Sequence, residues 1–292
     1  MPPLAALRER LQDGAQPLAI FNKSHSGSRL LTRIVETAGL FMGAHQNESS
    51  DSLDLAELVT ALVVGYYPDY EKHWQALLQD GRLAALAEQA FQSHLEGYDR
   101  QSSRPWGWKL SETAYAGPVI GYLFPRAKFI HLIRDGRDVA FCDHIGPDNA
   151  FWRKIYFNTE RLTWKSLWLN RRLYPLRSHV YNAVHWANSV RVGREFAARL
   201  GDRCLEVRYE DLCQRFAPTL DRILRFIGTG DRREIVRRIQ PIVYTSSIGK
   251  YDRMPARQQR AVLRITGPIL SSLGYLPPGD ESSRSSGPAA LA

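Results

Sequence analysis

The chain has 292 residues, 44% hydrophobic and 24% charged, the proportions of a soluble globular protein long enough to bury a large core. Its formal net charge of +9 rests mostly on arginine, much of it scattered along helical stretches such as 222–238, so charge alone selects no polyanionic partner. No run of about eighteen apolar residues is present, which excludes a transmembrane helix, and three cysteines, Cys142, Cys204 and Cys213, are too few for a disulfide framework and lack metal-ligand spacing.

Residues 1–16 read as a short leading helix, with Arg8, Glu9 and Arg10 where a signal peptide needs its apolar run. A cytoplasmic protein is therefore expected. The apolar run 17–21 predicts a strand, and Leu30, Leu31, Ile34, Val35 and Ala38 share one face of a helix that Gly39 stops. Helical spacing returns over 53–64 and 81–95. A short strand over 106–110 and a helix over 114–124 follow. Residues 128–133 are apolar on both faces, as buried parallel strands are, and 135–144 turns helical again. The stretch 149–200, rich in Trp, Tyr and Arg, predicts two or more helices broken at Pro175. Another strand covers 204–208, with helices from 209 to about 240. Beyond Gly274 the Pro-, Gly- and Ser-rich composition cannot offset the entropy of ordering, so a disordered tail is expected over 280–292.

Between the first strand and its helix lies Asn22-Lys23-Ser24-His25-Ser26-Gly27-Ser28-Arg29. Small residues let the backbone curl until successive N–H groups and the helix N-terminus converge on one anion. Ser24, Ser26 and Ser28 supply hydroxyls, and Lys23, His25 and Arg29 supply charge. No G-x-x-x-x-G-K-[ST] string occurs anywhere in the chain, so an ATPase or kinase of that type lacks its key feature. A second cluster follows the 128–133 strand. Arg134 stands at the strand's carboxyl end, where α/β folds bind ligands, and Cys142 lies two helical turns further on.

The first loop resembles the 5′-phosphosulfate loop of sulfotransferases that use 3′-phosphoadenosine 5′-phosphosulfate (PAPS). Ser26, Gly27 and Ser28 match that family's pattern, and Leu30-Leu31 continue into the helix as there. His25 stands where the family has Lys or Arg, and Arg29 replaces its second Thr. The string 129–142 resembles the 3′-phosphate motif: Arg134 matches the arginine that grips the phosphate, and Cys142 occupies the serine position. Ser247, Gly249 and Lys250 resemble the late loop that folds over the 3′-phosphate. Arg208-Tyr209-Glu210-Asp211-Leu212 resembles a segment that sets Tyr209 against adenine, and Gly107-Trp108-Lys109 one that leads to the acceptor pocket, with Lys109 bridging donor sulfate and acceptor.

The resemblance implies an α/β fold of the P-loop-NTPase-like sulfotransferase type, a central parallel sheet flanked by helices. One domain is expected over 1–279, with a helical insertion at about 149–200. It further implies in-line transfer of the sulfuryl group of PAPS to a hydroxyl or amine of a carbohydrate, lipid or natural product. Adenosine 3′,5′-bisphosphate is the implied product, and neither a metal nor nucleic acid is required. Either His25 or Lys23 meets the leaving group. The general base falls in 43–51, where Glu48, then Asp51, then His45 are the candidates and His45 could also contact the acceptor; His144 is a further one. Residues 161–174, aromatic and basic, are candidates for the acceptor pocket. Two other readings compete: a non-Walker ATP-dependent kinase and a non-catalytic polyanion- or nucleotide-binding protein.

Overall fold

The computed structural model describes residues 1–12, 14–99, 104–142, 155 and 164–276. His144, most of 149–163 and the tail 280–292 lie outside the described residues, as do the side chains of 164–176.

Four strands, β1 (Leu18–Asn22), β2 (Gly107–Lys109), β3 (Lys128–Ile133) and β4 (Cys204–Arg208), form one parallel sheet in the order β2-β1-β3-β4. β1 and β3 pair from Leu18 with Lys128 through Asn22 with Leu132. All of β1, and all of β3 beyond Lys128, is buried, which is why these two strands read as apolar runs rather than alternations. The helices are α1 (Pro3–Gln12), α2 (Ser28–Thr37), α3 (Leu53–Tyr66), α4 (Trp74–Gln79), α5 (Gly81–His94), α6 (Gly117–Leu123), α7 (Gly136–Val139), α8 (Trp164–Leu200), α9 (Tyr209–Gln214), α10 (Phe216–Ile227), α11 (Arg232–Ile239) and α12 (Ala256–Ser272).

The chain divides into two compact units. The first, Met1–Ile133 with Val192–Val243, holds the whole sheet. Its core includes Phe21, Ile34, Phe91, Trp108 and Phe129, each almost fully excluded from solvent. The second, Arg134–Arg191 with Tyr244–Ala292, packs Ala140, Ala183 and Val262 together under Phe141, Tyr251 and Ile265.

Four elements differ from the sequence expectation. Over 114–124 the chain first makes a 3₁₀ turn, Ser111–Ala116, and α6 starts afresh at Gly117. Pro118 sets that boundary, because a residue without an N–H is tolerated in a helix's first turn and not in its interior. The helix expected over 135–144 is only α7. In α8 the break falls at Arg177 (φ −137°, ψ 27°), two residues beyond Pro175. α4 was not expected; at six residues it is too short for periodicity to reveal.

Candidate functional site

In the first unit, β1 delivers the chain into the 22–29 loop, and the loop ends on α2. His25 and Gly27 both take left-handed backbone conformations, at φ 66° and 82°. At Gly27 a side chain is excluded twice over: the positive φ disfavours it, and a Cβ would collide with the ring of Tyr209, which packs directly on the glycine. Gly27 is also the N-cap of α2 and provides no side-chain cap. The helix therefore offers uncapped first-turn N–H groups and the positive end of its dipole to an external acceptor.

The loop's polar side chains fit an anion. Ser26 is 1% exposed, and its Oγ has no hydrogen-bond partner among the described residues. A buried hydroxyl left without a partner is costly, and a phosphate or sulfate oxygen would relieve that cost. Lys23 is buried as well and donates to Ser24 Oγ at 2.9 Å. Ser28 is buried, whereas His25 and Arg29 are exposed. An ammonium buried beside an uncapped helix N-terminus makes this end of β1 strongly electropositive.

At the end of β2 the ammonium of Lys109 is buried. It donates to Asp51 Oδ1 at 2.7 Å and to Ser49 O at 2.9 Å. Two expected site residues, Lys109 and Asp51, are thus brought together as an ion pair. Glu48 is exposed and has no ion-pair partner among the described residues. His45 is also exposed, but it is engaged by Asp54 at 3.2 Å and by Glu96 at 3.6 Å rather than by Asp51.

In the second unit, Arg134 directly follows β3 and is 4% exposed. Its guanidinium donates to the carbonyl of Ser247. Asp138, one turn into α7, accepts from Gly249 N at 2.8 Å and from Tyr251 N at 3.0 Å. One buried carboxylate thereby ties the 247–251 loop to the arginine-bearing turn. Gly249 takes φ 79°, a conformation for which glycine is suited. Lys250 Nζ comes to rest 3.7 Å from Cys142 Sγ. The five residues expected to clamp one phosphate, Arg134, Cys142, Ser247, Gly249 and Lys250, are interlinked by these contacts and by Asp138.

α8 braces this clamp with residues that sequence reasoning missed. Trp186 Nε1 donates to Arg134 O at 3.0 Å, and its ring lies so close to Gly136 that any Cβ there would collide with it. Asn182 Nδ2 donates to Ala140 O and Cys142 O at 3.0 and 3.1 Å. The four-residue spacing of Asn182 and Trp186 was the available signal, since it puts both on one helix face.

A sequence profile of the sulfotransferase family matches residues 23–232, more than two thirds of the chain. No curated protein sequence matches it. Among solved structures it is similar to the sulfotransferase domain from the curacin biosynthetic pathway, at 16% identity and TM-score 0.49, covering 90% of this chain and 99% of that one. It is also similar to the sulfotransferase domain of the Synechococcus PCC 7002 olefin synthase, at 17% identity and TM-score 0.49, covering 88% and 95%. Sulfotransferase STF9 from Mycobacterium avium shows 11% identity and TM-score 0.48, covering 93% and 83%. With its matched region running from the loop at Lys23 to the start of α11, the chain belongs to the sulfotransferase family and is a transferase.

Proposed function

We propose that the protein transfers the sulfuryl group of PAPS to a hydroxyl or amine of a carbohydrate, lipid or natural product. The observation that carries this reading is the 22–29 loop, where an unpartnered buried Ser26 hydroxyl, a buried Lys23 and an uncapped helix N-terminus converge. In this reading the loop takes the 5′ end of the donor. Arg134 and Lys250, with Ser247, Gly249 and Cys142, take the 3′-phosphate, a group that ATP lacks. PAPS, when bound, supplies a sulfuryl group on a phosphate leaving group, and its product is adenosine 3′,5′-bisphosphate.

The chain's own residues then have defined tasks. Lys23 and His25 neutralise the leaving oxygen, and Ser26 and Ser28 orient its neighbours. Lys109, held by Asp51, presents one further N–H to the sulfuryl oxygens or the acceptor. Tyr209, with one face against Gly27, keeps the adenine side of the loop apolar. Of the base candidates, Glu48 is the one whose carboxylate has no ion-pair partner among the described residues, and so is best placed to take a proton from the acceptor; Asp51 and His45 hold structural partners. Three free thiols accord with a reducing compartment such as the cytoplasm.

Thermal denaturation with three ligands tests the assignment. Adenosine 3′,5′-bisphosphate at a hundredfold excess over its Kd should stabilise the protein by about 2.7 kcal/mol. ADP with Mg²⁺ and a short oligonucleotide should leave the midpoint unchanged. Ser26→Ala and Arg134→Met should each diminish the bisphosphate shift. Stabilisation by ADP with Mg²⁺ instead would make the protein a kinase, and stabilisation by the oligonucleotide alone would make it a polyanion binder.

A further inference from the structure

A second cleft lies in the first unit, between the loop after α3, the 3₁₀ turn leading into α6 and the last turns of α8. Its volume is about 260 Å³, below the roughly 300–1,000 Å³ of pockets that hold drug-sized ligands, so it suits a single substituted ring. The walls are aromatic. Tyr67 meets Tyr115 edge-on, with centroids 5.5 Å apart at 80°, and Tyr70 at 6.4 Å and 77°. Phe196, which also packs on Phe21 and Phe129 of the sheet, closes one side.

Tyr70 and Arg203, which line the cleft, each carry a buried polar atom with no hydrogen-bond partner among the described residues. The Tyr70 hydroxyl is buried on a side chain only 4% exposed, and Arg203 Nη1 is likewise buried. Both are donors; burial pushes the Tyr70 phenol far above its usual range, so it keeps its proton at any physiological pH. Arg199 adds a second guanidinium and Glu195 a single carboxylate, both exposed. Arg199 is also paired with the exposed Glu71 at 3.9 Å. None of these side chains belongs to the 22–29 loop or to the Lys109–Asp51 pair.

We propose that this cleft is a binding site for a small aromatic ring bearing one anionic group, the ring lying among Tyr67, Tyr115 and Phe196 and the anion accepting from Tyr70 Oη and Arg203 Nη1. The ring gains edge-to-face contacts, and the anion satisfies two buried donors whose desolvation is otherwise uncompensated.

Isothermal titration of the full chain with phenyl phosphate tests it, with phenol and inorganic phosphate as the two halves of the probe. Phenyl phosphate should bind at least about tenfold more tightly than either half, and Tyr70→Phe and Arg203→Gln should each weaken it by about tenfold, the scale of a lost hydrogen bond to a charged group. Tyr70→Phe removes an oxygen that has no partner, so its melting temperature should match the parent's. The thermal shift with adenosine 3′,5′-bisphosphate should persist in both variants, which separates failure here from failure of the donor reading. Absence of phenyl phosphate binding, equal binding by inorganic phosphate, or an affinity untouched by both substitutions would overturn the proposal.

Discussion

A buried ammonium survives only with company, and Lys109 has two partners, the Asp51 carboxylate and the Ser49 carbonyl. The two charges are not equally sheltered: Lys109 is 3% exposed and Asp51 21%. Removing one partner of a buried pair strands the other, so which partner is removed decides the cost. Asp51→Ala leaves the more deeply buried charge unpaired and should destabilise the protein by about 3 kcal/mol. Lys109→Met leaves a carboxylate that still reaches water, at a cost of about 1 kcal/mol. In the double variant no stranded charge remains, so its urea-unfolding free energy should exceed that of Asp51→Ala alone. Strictly additive losses would mean the pair is not an energetic unit. The same cycle bears on chemistry, because a carboxylate that immobilises a lysine is less available as a base than Glu48.

Between elements, two buried histidines act as polar rivets. His131 on β3 bonds through Nδ1 to Glu206 on β4 at 3.1 Å, in register across the sheet, and stacks on Phe21 of β1. His94 at the end of α5 bonds to Ser52, the N-cap of α3, at 3.0 Å and to Gly107 O on β2 at 2.9 Å. Burial lowers both imidazoles below their usual 6.5 and outweighs the pull of Glu206 on His131 and of Asp54 on His94. In the unfolded chain each takes up a proton near 6.5, so below that pH the unfolded state binds more protons and stability falls as pH falls. Glu206 adds the same sign lower down: its bond to His131 holds the carboxyl below its usual 4.5, so its contribution is present above that value and is lost as pH drops through the depressed one. The free energy of unfolding should therefore decline between pH 7 and 5.5, by up to about 1.4 kcal/mol per pH unit for each histidine. A flat profile in urea titrations over that range would show that neither imidazole is held neutral by its element contacts.

Across the whole molecule, what was legible in the sequence is what periodicity and local chemistry can encode. The apolar runs at 17–21 and 128–133 became β1 and β3, the strand expected over 204–208 became β4, and the donor-rich 22–29 segment became a curled loop ahead of a helix. Periodicity reports that a face is buried and is silent on what buries it. Nothing local announced that β1 would sit between β2 and β3, that Lys109 would find Asp51 at a separation of 58 residues, or that Asp138 would hold Gly249 across 111. The net charge of +9 was equally mute about partners until its placement was known. Much of it is spent on exposed helix faces: Arg237 and Arg238 share Glu234, and Arg232 pairs with Asp221 at 2.5 Å. The cations expected to meet the nucleotide include Lys23 and Arg134, both nearly inaccessible to solvent. Salt screens exposed charges far more than buried ones. Any oligonucleotide affinity arising from the dispersed arginines should therefore collapse by about a thousandfold between 50 and 200 mM KCl. Under the proposed function, affinity for adenosine 3′,5′-bisphosphate should fall by less than about tenfold over the same range, because the donors assigned to it are buried and would act through directional bonds. Fluorescence anisotropy with both ligands at the two salt concentrations makes the comparison. Parallel losses would mean that the surface field, and not the two buried cations, accounts for anion binding in this protein.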